Sequence, residues 1–126
     1  MKIFLIIAAI SGALAVSLGA FGAHILKQLI SVEMLEAYKT GIQYQFYHTF
    51  AIMSVGLLMY FKQTKSLKWA GYLFTVGIII FSGFIYLMAI TGIKALGIIP
   101  AFGGLILISG WICLLTHCIK LTKTSF

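Results

Sequence analysis

The chain has 126 residues, 62% of them hydrophobic and only 9% charged, against roughly 25% charged in an average soluble domain. So short a chain has a large surface for its volume, and nine lysines with two glutamates, net +7, cannot cover it; an ordinary water-soluble globule and a disordered chain are both excluded. The lysines are scattered and form no basic stripe, so the expected partner is the lipid bilayer and not nucleic acid.

A hydrocarbon core about 30 Å thick takes about 20 residues of helix, and only helices or closed barrels satisfy the backbone inside it. Residues 3–23, 42–61, 69–90 and 99–119 meet that length, and the alternating pattern of barrel strands is absent. The first stretch also has features of a signal peptide, with Lys2, an apolar core and Ala13-Leu14-Ala15. Its apolar character continues to Ala23, longer than a signal core, so a retained helix is expected.

Between the first and second stretches, residues 25–39 mix apolar side chains with Lys27, Glu33, Glu36 and Lys39, which suits a short helix lying in the interface. Glu36 and Lys39 are spaced to pair at i,i+3. Thr40-Gly41-Ile42-Gln43 matches a capping box and is read as the start of the second span. Ser66 is the expected cap of the third helix, Gly92 its end, and Pro100 the first turn of the fourth. Cys113 and Cys118 lie about 140° apart on one helix, so they are expected to be free thiols.

The expected fold is all-α: one polytopic membrane domain over residues 1–126, an antiparallel four-helix transmembrane bundle with a short interfacial helix at about 25–39. Four spans put Lys2, Lys62, Lys65, Lys68, Lys120 and Lys123 on one side, and Lys27, Lys39 and Lys94 with both acids on the other. The lysine-rich side belongs in the cytoplasm, which places both termini there, in the cell membrane.

Membrane helices associate through close packing, for which small residues are suited. Ser11, Ala15, Gly19 and Ala23 recur every four residues, so the first helix is expected to sit centrally against at least two others. Gly83, Gly103 and Gly104, with Gly71, Gly77 and Gly110, are further expected contacts.

Polar side chains inside a membrane are costly and often functional. Gln43, Tyr44, Tyr47 and His48 fall within about 140° of arc on the second helix, with His48 roughly 8 Å below its outer end. Ser82 and Tyr86 lie at similar depth on the third helix, and His24 closes the first on the same side. These seven residues form the expected polar, candidate ligand-binding cluster. The bland reading is that such groups only hydrogen-bond neighbouring helices and fix their rotation. Two histidines without an acid inside a span make no metal site, so no metal or cofactor is expected. No G-x-S-x-G, H-E-x-x-H or P-loop occurs, and the protein is not expected to be an enzyme.

Gly19-Ala20-Phe21-Gly22-Ala23-His24, then Tyr38-Lys39-Thr40-Gly41-Ile42-Gln43-Tyr44-Gln45-Phe46-Tyr47-His48, then Phe81-Ser82-Gly83 with Tyr86, and Gly103-Gly104 followed by Gly110-Trp111 resemble the DUF423 family of small four-helix membrane proteins. The resemblance runs over nearly the whole chain. It implies a multi-pass protein of the bacterial cytoplasmic membrane, with mitochondrial relatives in animals, and implies no activity. The chain departs from the family pattern at the fourth helix, where Pro100-Ala101 stand in place of Thr-Pro, and at Phe84, where a small residue is usual.

Two functions remain in view. The first is a non-catalytic structural, assembly or accessory membrane factor, with another membrane protein or a second copy as candidate partner. The alternative is a small-solute or ion transporter or channel component acting as an oligomer, lined by the polar face of the second helix.

Overall fold

A serine, not the Thr40 box, starts the second helix. In the computed structural model, which describes residues 1–124 and side chains as far as Leu121, Ser31 has extended backbone angles and its hydroxyl accepts from the Met34 amide at 3.2 Å. Helix α2 then runs unbroken over Val32–Phe61, with Glu33 in its first turn, where a negative charge favours the helix dipole. Thr40 is interior, its hydroxyl donating to the Glu36 carbonyl at 3.1 Å. Thus residues 25–39 form no helix of their own. Leu26–Gln28 make one 3-10 turn, and the rest of the segment from Val32 belongs to α2.

Helix α1 covers Lys2–His24, α3 Lys65–Thr91 and α4 Ile99–Thr124, with a second 3-10 turn at Lys94–Ile98 before α4. Thr64, not Ser66, caps α3, accepting from the Leu67 amide at 3.2 Å. Gly92 ends α3 at φ 74°, the left-handed conformation that glycine adopts without strain, and Pro100 lies in the first turn of α4. Lys123, counted with the inner lysines above, lies beyond the last described side chain. The described residues are all-helical, and three segments are long and apolar enough to cross a membrane: Lys2–Gln28, Lys65–Thr91 and Lys94–Leu121. The fourth long helix, α2, carries the polar side chains.

Each long helix packs mainly on its neighbour in sequence, α1 on α2, α2 on α3 and α3 on α4. Across α1–α2, Leu5 meets Gly56, Ser11 meets Thr49 and Tyr38 meets Gly22. Across α2–α3, Gly41 meets Ile85, Tyr44 meets Phe81 and His48 meets Phe74. Across α3–α4, Phe74 meets Gly110, Leu107 meets Gly77 and Phe81 meets Gly103. The central helices are therefore α2 and α3, not α1, whose main long-helix neighbour is α2 alone; Phe4 reaches α3, its ring edge-on to Tyr72 at 5.3 Å.

The buried side of α1 is Phe4, Ala8, Ser11, Ala15 and Gly22. Gly19 is half-buried and Ala23 exposed. A strict four-residue repeat advances about 40° per step around a helix, so the expected stripe walks off the contact face after Ala15. Spacings that alternate three and four hold the face instead. Gly83 faces open space: a Cβ there would meet nothing within 4 Å. Replacing Gly83 by alanine should therefore raise stability by about 0.5–1 kcal/mol through helix propensity alone, read as a higher denaturing-detergent midpoint. A large loss would mean that another molecule packs on this face.

Two apolar clusters are buried. One, around Leu26, Met34, Tyr38 and Ala89, lies near the start of α2; the other contains Phe4, Ile52, Val55, Leu67 and Phe74. Along α2 the polar residues Gln45, His48 and Thr49 fall between them.

Candidate functional site

Three helices converge on Gln45, which is 4% exposed. Its amide nitrogen donates to the Ser11 carbonyl at 3.0 Å, and its amide oxygen accepts from the Tyr86 hydroxyl at 2.6 Å. Ser11 and Thr49 join hydroxyls at 2.6 Å, and Ser82 donates to the Gly41 carbonyl at 2.7 Å. Gly41 lets this happen: a Cβ there would stand 2.7 Å from the Tyr86 ring. The Tyr86 ring in turn sits 5.1 Å from that of Tyr38, whose hydroxyl donates to the Leu18 carbonyl of α1. Both ends of the Gln45 amide are used, and every hydroxyl in the set has a partner.

His48 belongs to a different side of α2. It is 5% exposed and takes Trp111 of α4 as its partner, the indole N–H donating to Nε2 at 3.0 Å. An indole nitrogen can only donate, so Nε2 must be the bare nitrogen and Nδ1 must carry the proton. That proton goes to the Tyr44 carbonyl at 2.7 Å. The imidazole is thereby fixed as one neutral tautomer, with both nitrogens engaged. Phe74 supports the pair, 5.0 Å from the Trp111 ring and 5.7 Å from that of His48.

The seven residues expected to cluster are thus distributed over α2's surroundings. Ser82 and Tyr86 join the Gln45 network and His48 joins Trp111, while Tyr44 and Tyr47 line the outer wall beside His48. Gln43 and His24 are exposed at the surface. Of the centre of the network, Gln45 and Thr49 were not among the expected site residues, and Ser11 was expected only as a packing residue. Their signal was present: Gln45 and Thr49 are one turn apart on α2, and Ser11 is one of two serines in the long apolar run of α1.

A third histidine was also outside the expected set. His117 of α4, 1% exposed, joins its Nδ1 to the Thr64 hydroxyl at 2.7 Å, tying α4 to the cap of α3. Its Nε2 is buried without a hydrogen-bond partner. Cys113, one turn before His117, and Cys118 are free thiols. Among the described residues, no group of three histidine, cysteine or acidic side chains is placed to hold a metal ion. Both acids lie near the start of α2, Glu36 3.5 Å from Lys39 and Glu33 3.7 Å from Lys94. These exposed pairs contribute little to stability.

Long apolar helices, outward-facing aliphatic side chains and polar groups turned in upon one another define a small all-helical membrane protein. The profile described as "Protein of unknown function (DUF423)" matches residues 18–104, and the chain belongs to that family. It is 41% identical over 122 residues to the UPF0382 membrane protein SAB0533 of Staphylococcus aureus, covering 95% of this chain and 98% of that one. It is 40% identical over 121 residues to the UPF0382 membrane protein YwdK of Bacillus subtilis, covering 95% and 98%. With the UPF0382 inner membrane protein YgdD of Escherichia coli the identity is 32% over 122 residues, covering 97% and 93%. None of these names is that of an enzyme. No solved structure matches the chain.

Proposed function

We propose that the protein is a non-catalytic accessory or assembly factor of the cytoplasmic membrane, a single domain in which all four long helices span the bilayer antiparallel. The contacts support that direction: along each pair of neighbouring helices, as the residue number rises on one it falls on the other. The lysines support both termini in the cytoplasm. In this arrangement Lys2, Lys62, Lys65, Lys68 and Lys120 share one end, while Glu33 and Glu36 occupy the other with their lysine partners. Helix α2 crosses in spite of its polar residues because neighbouring helices take up its hydrogen bonds.

One observation carries the functional reading: the buried polar groups of α2 are satisfied by α1, α3 and α4. A conducting or carrying path needs polar groups free to exchange partners with the solute, whereas closed pairs fix the rotation of helices. Purified protein reconstituted in liposomes should therefore give no proton or potassium flux above that of protein-free vesicles. Flux that is lost on His48→Ala would overturn the reading in favour of a transporter.

A further inference from the structure

Between α2 and α4 lies a groove of about 490 Å³, within the usual range of ligand sites. Tyr44, Tyr47 and His48 form one wall, Trp111 and Gly104 the other, and Phe81 of α3 the floor. Rings stand at five of the eight lining positions, and Leu107 and Ile108 add aliphatic surface on the α4 side. Gly104 has no side chain, and the place where its Cβ would stand is 3.9 Å from the Phe81 ring, so the floor beside that ring stays open. Among the described residues, no charged side chain lines the groove. The indole and imidazole nitrogens are engaged with each other and with the Tyr44 carbonyl. The Tyr44 and Tyr47 hydroxyls, on side chains 39% and 55% exposed, are not so engaged and remain as donors at the rim.

We infer that this groove binds a neutral, flat ring compound bearing a hydrogen-bond-accepting oxygen, a quinone or aromatic ketone, entering from the lipid phase. Aromatic walls at mutual angles favour a flat ring by offset and edge-on contacts. Such walls also attract cations, but a cation here would leave water without an acid to meet it. A plain acyl chain would leave both phenol donors unused. The ring compound satisfies walls and donors together, with its oxygen at Tyr44 or Tyr47 and its plane against Phe81 and Trp111. The inference rests on the membrane-embedded placement of α2 and α4 proposed above.

The test uses the full chain in nanodiscs with Trp69→Phe, which leaves Trp111 as the only indole, and menadione as probe, since a quinone in contact quenches indole fluorescence. Quenching should saturate. Gly104→Phe, which fills the floor, should weaken apparent binding by about tenfold or more. Naphthalene, a ring without the oxygen, should fail to compete. Quenching that rises linearly without saturation, or that is indifferent to Gly104→Phe, or that excess naphthalene relieves, overturns the site. Should Gly104→Phe lose its helical circular dichroism, Tyr44→Phe/Tyr47→Phe keeps the rings, removes the donors and must weaken binding in the same way. A chain shown to span the membrane four times yet giving no saturable quench would refute the site and leave the membrane placement standing.

Discussion

Gly103→Ala should be the most damaging single methyl that can be added to this protein, lowering stability by about 3 kcal/mol, the upper end for overpacking a close contact. The new Cβ would stand 2.5 Å from the Phe81 amide nitrogen and 2.8 Å from its Cα. Both obstacles are backbone, so no rotamer change relieves them and α4 must move away from α3. Membrane helices gain from such close approach because lipid offers apolar surface as readily as a neighbouring helix does. The displacement should also disturb Trp111, about two turns further along α4, and its hydrogen bond to His48. Unfolding in mixed micelles, followed by circular dichroism, should show the lowered midpoint, with a shifted indole emission under native conditions. The adjacent glycine is the control. Gly104→Ala meets only the Phe81 ring at 3.9 Å, an ordinary contact, and should leave stability unchanged or raised by up to about 1 kcal/mol through helix propensity. Equal effects at the two positions would mean that α3 and α4 do not meet at Gly103.

Gln45→Leu should cost about 2 kcal/mol. The substitution keeps much of the side chain's volume but leaves the Tyr86 hydroxyl without its acceptor and removes the donor to the Ser11 carbonyl. Interhelical hydrogen bonds in membranes average only about 0.6 kcal/mol each, so most of the loss comes from the stranded phenol. That gives a sharper expectation. Adding Tyr86→Phe to Gln45→Leu removes the stranded group, and the double variant should be more stable than Gln45→Leu alone by about 1 kcal/mol. Detergent-titration midpoints of the wild type, both singles and the double decide it. If the double variant only adds the losses of the singles, the network does not act as a unit.

The sequence disclosed the membrane class and the existence of four long helices because uncharged apolar runs leave the backbone no alternative in lipid. It disclosed Gly92 and Pro100 because each answers a local backbone requirement. The start of α2 was hidden by two competing signals. Thr40 and Gln43 have capping-box spacing, and Gly41 looks like a helix breaker, yet Gly41 is there to admit the Tyr86 ring, a contact made by a residue far along the chain. The polar site was misread for a related reason. The polar direction of α2 was set by Gln43, Tyr44 and Tyr47, which are exposed, whereas Gln45 lies on the opposite face beneath α1. Helical periodicity locates a polar face; only the packing order of the helices tells which polar residues lie inside.

The proposed four-span arrangement has α2 cross the bilayer, and side-specific cysteine labelling tests the crossing most directly. In a Cys113→Ala/Cys118→Ala background, single cysteines would replace Leu29, 72% exposed before α2, and Lys65 after it. A membrane-impermeant maleimide should label the Leu29→Cys protein in intact cells and the Lys65→Cys protein only after the membrane is opened. Labelling of both positions from the same side would contradict the four-span account.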